Sequence, residues 1–396
     1  MNAAAALPIT LLATAAFLSS SGSRVIDPLL HVVASDFGTT VPAVSVIIAA
    51  FTLPYGLCQI LLGPLGDRFG KLRVIALAMG AYALATGACA FAGSLSTLTV
   101  MRVFAGATSA AIIPIGMAYI ADAVAYQDRQ VTLSRYLNGI VLSQLLAGPI
   151  GGVFGQYLGW RGVFVLLAAG AIMVTVVMAL RIPRLPDTRS AAAGFSLTAY
   201  RGLLRGRLPR LLLLGAFVDG VLLNGSFPFL APYMHEAFGL SYAAVGMILS
   251  CFGLGALAYT RLVRRMIPIF GEPGLVVLGG IAIALGVGGA MLAGAWPVLI
   301  LTQTAIGFGY FMLHGVLQAR STEMLPGARA TGVSSFAFTL FAGQSAGALG
   351  MGALIAATGY RGAFAVDAVL VLGLGLWLRA MLTQHAPGGT ASVANR

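Results

Sequence analysis

The chain of 396 residues is 59% hydrophobic and only 9% charged, with a formal net charge of +12 and a mean hydropathy of +0.95. A soluble domain holds about 45–50% apolar and about 25% charged residues, so this composition excludes one. Apolar runs of about 20 residues or more predict membrane-spanning helices and exclude a barrel of short alternating strands. The basic residues lie in short loops beside these runs, which indicates membrane orientation rather than nucleic-acid binding.

Twelve apolar runs, separated by polar breaks, are predicted to cross the membrane as helices. They cover residues 8–34, 42–62, 72–92, 96–123, 132–157, 161–181, 210–234, 242–262, 273–293, 296–318, 330–356 and 361–381, and are numbered spans 1 to 12. An even number of spans places both termini on the same side of the membrane.

The basic residues are distributed unequally between the two predicted faces. Nineteen of the 23 lie at or beyond one face, which the positive-inside bias predicts to be cytoplasmic. The long connection between Arg181 and Arg210 contains several of them and is predicted to be a cytoplasmic linker. We therefore expect an integral protein of a bacterial inner membrane with both termini in the cytoplasm.

The two parts of the chain resemble each other at an offset of about 200 residues. The segment Leu158–Phe164 matches Thr358–Phe364, and Pro28 with its two leucines matches Pro228 and its neighbours. We predict an all-α membrane protein built from two pseudo-symmetric six-helix halves, residues 1–182 and 210–396, joined by the linker 183–209. Two such halves can rock about a site between them and expose it to alternate sides.

The loop after span 2 carries a compact motif, G-P-L-G-D-R-F-G-K-L-R, at residues 63–73. With the twelve spans and the repeat, this motif resembles the major facilitator superfamily, and within it the twelve-span drug:proton antiporters. The matching positions are Gly63, Leu65, Gly66, Asp67, Arg68, Gly70 and Lys71.

The resemblance implies that this loop is a cytoplasmic latch between the halves. The Asp67 carboxylate could dock at the positive N-terminal end of span 11. Asp122, near the end of span 4, could hold Arg68 or Arg129. The alternative is that these residues are ordinary interfacial charges that set the topology.

Spans 4 and 5 carry two further family motifs. Arg102, with Gly106 and Ala110, resembles the family's intramembrane arginine motif, and residues 148–152 resemble its glycine-proline antiporter motif. Gly148, Pro149, Gly151 and Gly152 would let span 5 bend as a hinge. The sequence departs from this pattern at Gln144, where the family favours glycine.

Charged residues within the bilayer are costly and usually functional. Asp27 and Arg102 are predicted at similar depths, so they could form a proton-coupling pair in which burial favours the neutral acid and the arginine favours the carboxylate. Arg24 is a further proton-coupling candidate in span 1, and a fixed pair of Arg24 with Asp27 is the structural alternative. Asp219, a lone carboxylate at mid-depth in span 7, is a second candidate for proton coupling or for binding a cationic substrate. The alternative is a neutral acid that makes a hydrogen bond in helix packing.

Polar and aromatic side chains at similar predicted depths could line a substrate cavity. They are Asn138, Gln144, Asn224, Gln303, His314, Gln344, Tyr55, Tyr119, Phe217 and Tyr310. Each is individually more typical of helix packing, although Gln144 and Gln344 occupy equivalent positions in the two halves.

The sequence shows neither a phosphate-binding loop nor a metal-ligand cluster, which argues against ATP-driven transport and enzymatic chemistry. We expect no cofactor, a proton gradient as the energy source, and a monomer that binds protons, lipid and a small-molecule substrate. The predicted function is proton-coupled export of small amphipathic molecules. The alternatives are a sugar or metabolite carrier of the same fold, or a membrane receptor or scaffold that transports nothing.

Overall fold

The computed structural model describes residues 3–181, 201–203, 205–325 and 329–384, which are almost entirely helical and include no strand. Within these described residues, nine helical segments are long and apolar enough to cross a membrane. They are Ile9–Asp36, Val41–Ile60, Lys71–Cys89, Leu95–Ala123, Gln127–Arg181, Arg207–Phe238, Tyr242–Leu292, Pro297–Ser321 and Thr331–Gln384.

Three of these segments each contain two crossings. A single glycine with a positive φ interrupts each long helix: Gly159 (68°), Gly271 (62°) and Gly359 (72°). Glycine adopts this left-handed conformation without the steric cost that a Cβ atom brings. The nine segments therefore make twelve crossings, at the positions the hydropathy predicted, and the predicted all-α fold is confirmed.

Equivalent turns recur in the two halves. Among the described residues the positive-φ glycines form three pairs, Gly38 with Gly239, Gly70 with Gly271, and Gly159 with Gly359. The members of each pair lie 200 or 201 positions apart. We call the side with the turns at Gly38, Gly159, Gly239 and Gly359 the Gly38 face, and the side with Gly70 and Gly271 the Gly70 face.

Helix packing follows the same repeat. A Cβ atom on Gly106 of span 4 would lie 2.1 Å from the Phe51 carbonyl oxygen of span 2, and one on Gly307 of span 10 would lie 1.9 Å from the Phe252 oxygen of span 8. Only a hydrogen atom fits between the helices at these two equivalent crossings. The predicted linker 183–209 falls mostly outside the described residues, so the boundaries of the halves stay a prediction.

Candidate functional site

The first span of each half is broken at the same relative position. In span 1 the α-helix ends at Arg24 and a 3₁₀ turn covers Asp27–Leu29. In span 7 the α-helix ends at Asp219, a π-helical turn covers Gly220–Asn224, and a 3₁₀ turn follows at Phe227–Phe229. Each 3₁₀ turn contains a proline, which lacks the N–H that a continuous helix needs. Paired helix breaks at equivalent positions are the backbone feature that most often marks a transporter's binding site.

The two breaks are joined by a hydrogen bond across the molecule. The Nη2 atom of Arg24 donates to the Oδ1 atom of Asn224 at 3.0 Å. These two residues occupy equivalent positions in the two halves, 200 residues apart. The guanidinium carbon also lies 4.8 Å from the centre of the Phe227 ring. Arg24 therefore sits where the two pseudo-symmetric halves meet.

Two large cavities surround this point. They enclose about 850 Å³ and 650 Å³ of non-atom space, including the part open to solvent, and they share Arg24, Ile140, Gln144, Asn224 and Tyr310. The lining of the larger one includes Thr260 and Gln318, near the ends of spans 8 and 10 on the Gly70 face. Two smaller cavities adjoin them, and Arg24 lines all four.

Six of the predicted cavity residues line the large cavities, and four do not. Gln144, Asn224, Gln344, Tyr55, Tyr310 and His314 line them. Asn138, Gln303, Tyr119 and Phe217 lie outside them: Asn138 is exposed, Phe217 is half-buried, and Tyr119 and Gln303 are buried in helix packing. Depth along a helix is read from residue number, but each residue also turns by about 100°, so equal depth does not fix the direction of a side chain.

Asp27 is buried, and neither carboxylate oxygen has a hydrogen-bond partner. Its nearest cation is Arg24, whose Nη1 atom lies 3.9 Å from the Oδ2 atom. The predicted direct pair of Asp27 with Arg102 is not present between these two described residues. Arg102 instead donates to the carbonyl oxygens of Gly22 (2.7 Å) and Ile47 (3.2 Å).

The partners of Arg102 have a physical explanation. Gly22 lies in the last turn before the break in span 1, where helix carbonyls lack their usual intrahelical donors. The Phe51 ring covers the guanidinium at 4.3 Å, completing a buried environment. Arg102 thus ties span 4 to spans 1 and 2, while Arg24 is the cation that faces Asp27.

Asp219 is paired rather than isolated, which corrects its description as a lone candidate. Its Oδ2 atom lies 2.6 Å from the Nδ1 atom of His314, and its side chain is fully buried. His314 stacks on Tyr310, with ring centres 4.8 Å apart, and lines the larger cavity. The histidine therefore separates the Asp219 carboxylate from the cavity.

The sequence reasoning missed two lining residues. Asp367, in span 12, is not among the predicted site residues, yet it is buried and lines a smaller cavity with Arg24 and Ser226. Phe252 lines three of the four cavities. The repeat could have indicated Phe252, because its equivalent 201 positions earlier is Phe51, which lines another cavity wall.

The halves contact each other closely toward the Gly38 face. A Cβ atom on Gly152 of span 5 would lie 2.2 Å from the Tyr242 carbonyl oxygen of span 8. A Cβ atom on Gly246 of span 8 would likewise lie 2.2 Å from the Gly148 carbonyl oxygen of span 5. The hydroxyl oxygens of Thr52 in span 2 and Ser345 in span 11 are 2.7 Å apart. The site is thus closed on the Gly38 side, and its larger cavity extends toward the Gly70 side.

The hinge predicted in span 5 is a contact surface in this conformation. The backbone stays helical through Pro149, since the non-helical residue within Gln127–Arg181 is Gly159. Gly148 and Gly152 face span 8, and Gly151 faces the break in span 1, where a Cβ atom would lie 1.9 Å from the Val25 carbonyl oxygen. Gln144, the departure from the family pattern, projects into the cavities.

The motif at residues 63–73 forms a turn anchored within its own half. Gly70 has a φ of 93°, and Lys71, which is 3% exposed, places its Nζ atom 2.6 Å from the Oδ2 atom of Asp122. We expected Arg68 or Arg129 to hold Asp122. The Arg68 guanidinium instead lies 5.3 Å from the centre of the Phe69 ring. The Asp67 side chain lies outside the described residues, as does its predicted docking at span 11, and Gly63 lies within the helix Val46–Phe69.

The equivalent turn in the second half carries the opposite arrangement of charge. Glu272, the residue after Gly271, lies 2.5 Å from Arg320 at the end of span 10. Each turn on the Gly70 face is therefore tied to the fourth span of its own half, with the acid and the base exchanged.

The comparisons with known proteins agree with this architecture. The sequence profile of the Major Facilitator Superfamily matches residues 12–218 and 212–394, and the chain belongs to this family. It is a membrane transporter by family and fold, not an enzyme, with a small-molecule substrate.

Relatives of similar length include two bacterial proteins. A chloramphenicol resistance protein of Streptomyces lividans is 27% identical over 348 residues, covering 87% of this chain and 88% of its own. The uncharacterised MFS-type transporter YceJ of Bacillus subtilis (strain 168) is 23% identical over 361 residues, covering 88% and 89%. A solved bacterial homologue of the human lysosomal transporter Spinster, inward-facing and unoccupied, has a TM-score of 0.82 at 18% identity, covering 98% of this chain and all of its own.

Proposed function

We propose that this transporter exports small amphipathic organic molecules in exchange for protons. The observation that carries the proposal is Asp27, a buried carboxylate without hydrogen bonds at the contact between the halves, 3.9 Å from a cation that faces the cavities. An ionisable group within a membrane span is costly and typically marks a proton or substrate pathway. Protonation of Asp27 would leave the charge of Arg24 without a counter-charge and so alter the contact between the halves.

Export is proposed from two supporting observations. The basic residues cluster on the Gly70 face, so that face is assigned to the cytoplasm, and the larger cavity extends toward it. A relative of matching length is named for resistance to chloramphenicol, a small organic molecule. In this proposal the protein works as a monomer in a bacterial inner membrane, both termini are cytoplasmic, and the proton gradient supplies the energy.

The transport direction can be tested in inverted membrane vesicles that hold an inward-acidic proton gradient. Amphipathic organic compounds of different charge are tried, and we expect those that are substrates to dissipate the gradient in vesicles containing the protein and to accumulate inside them. A pH-sensitive dye reports the gradient. Transport that an uncoupler leaves unchanged would contradict the proposal and favour a facilitator of the same fold.

A further inference from the structure

The charge lining the two large cavities has one sign. Among their described lining residues Arg24 is the one side chain with a fixed charge, and His314 adds a second positive charge when it is protonated. The rest of the lining is apolar, aromatic or neutral and polar, including Gln144, Asn224 and Tyr310.

The three nearby carboxylates do not face these spaces. Asp27 and Asp367 each line one of the smaller cavities, and Asp219 is fully buried behind His314. A cationic molecule in the large cavities would lose its hydration without meeting a described carboxylate. An anionic molecule there would meet an arginine, and a charge removed from water is strongly destabilised unless it is paired.

The Arg24 guanidinium has capacity for a further partner. The Nη2 atom donates to Asn224, whereas the Nη1 atom, which lies 3.9 Å from the Asp27 carboxylate, is buried without a hydrogen-bond partner. Guanidinium groups bind carboxylates through parallel hydrogen bonds, and these charge-assisted bonds are stronger than neutral ones. Phe252, Phe311 and Tyr310 provide an aromatic wall beside it for an apolar body.

We propose that the substrates are amphipathic anions, each with an apolar or aromatic body, whose carboxylate binds Arg24. This inference specifies the substrate class of the transport site proposed above. Asp27 then has a second effect, because its carboxylate lies 3.9 Å from the same guanidinium and competes with the substrate for it. Neutralising Asp27 strengthens binding of the anion, whereas neutralising Arg24 removes the preference for it.

The test uses three probes that share one aromatic body and differ in charge: 1-naphthaleneacetate, 1-naphthaleneacetamide and 1-naphthalenemethylamine. Binding to the purified full-length protein in nanodiscs is measured at pH 7 by equilibrium dialysis. We expect the carboxylate to bind about tenfold or more tightly than the amide, since a charge-assisted pair contributes at least about this factor. Arg24→Gln should bring the ratio close to one, Arg24→Lys should retain part of the preference, and Asp27→Asn should raise affinity for the carboxylate.

Arg264→Gln is the matched control, because Arg264 is exposed near the Gly70 face and lines none of these cavities. Absence of carboxylate binding, equal binding of the three probes, preference for the amine, or a preference that survives in Arg24→Gln would each overturn the inference. The affinity ratio is measured within each variant, so a loss of stability does not imitate the result. Binding needs no proton gradient, so failure of antiport in vesicles would leave a confirmed anion preference intact.

Discussion

Asp27→Asn is expected to abolish proton-driven transport while leaving the amount of protein in the membrane close to that of the native chain. The asparagine cannot bind and release a proton, so the cycle loses its coupling group. Neither oxygen of Asp27 makes a hydrogen bond, so the neutral, nearly isosteric amide breaks none. Proton flux driven by substrate, measured with a pH-sensitive dye in inverted vesicles, should fall to background.

Two measurements separate a coupling defect from a folding defect in this variant. Asp128→Asn makes the same change at an exposed position near the Gly70 face and should leave transport unchanged. Exchange of labelled for unlabelled substrate across the membrane, without a proton gradient, should persist in Asp27→Asn. Full proton-coupled activity in Asp27→Asn would remove this residue from the mechanism.

Gly152→Leu is expected to prevent the two halves from closing at the Gly38 face and to stop transport. The added Cβ atom would lie 2.2 Å from the Tyr242 carbonyl oxygen, a backbone atom of the other half that cannot rotate away. Forcing extra atoms into a packed contact costs about 1–3 kcal/mol, which disfavours the closed state by about 5- to 150-fold. Cysteines introduced into spans 5 and 8 near the Gly38 face should therefore be more accessible, and the fraction labelled by a thiol reagent should increase.

Gly350→Leu is the control, because a Cβ atom at Gly350 would meet no atom within 4 Å. Gly151→Leu offers a second comparison, since its Cβ atom would meet Val25 within the same half and should impair folding rather than closure. Native transport and native labelling in Gly152→Leu would show that the contact between spans 5 and 8 does not form during the cycle.

The spans and their turns could be predicted because they follow from local properties of the chain. Hydropathy gives the length of each crossing, and glycines such as Gly159 and Gly359 stand where the backbone must adopt a positive φ. The repeat at 200 residues also identified Gln144 and Gln344 as equivalent, and both line the cavities. These features depend on neighbours in sequence or on comparison of the chain with itself.

The ionic partners could not be predicted in the same way. Asp27 and Arg102 have matching depths, but depth leaves open which helix face each residue occupies and which backbone carbonyls compete for the arginine. The carbonyl of Gly22 accepts from Arg102 beside a helix break, which hydropathy does not reveal. His314 and Asp219 were both candidates, yet they lie 95 positions apart on different spans, and their pairing depends on how those spans cross.

The most direct test of alternating access is a reversible covalent link between Thr52 and Ser345. Their hydroxyl oxygens are 2.7 Å apart across the two halves, so cysteines at these positions are close enough for a disulfide. The double variant is made after Cys58, Cys89 and Cys251 are replaced by serine, and each single cysteine variant serves as a control. We predict that oxidation with copper phenanthroline stops transport in the double variant alone and that a reductant restores it. Undiminished transport by fully cross-linked protein would contradict the account, because the halves would then carry substrate without separating at the Gly38 face.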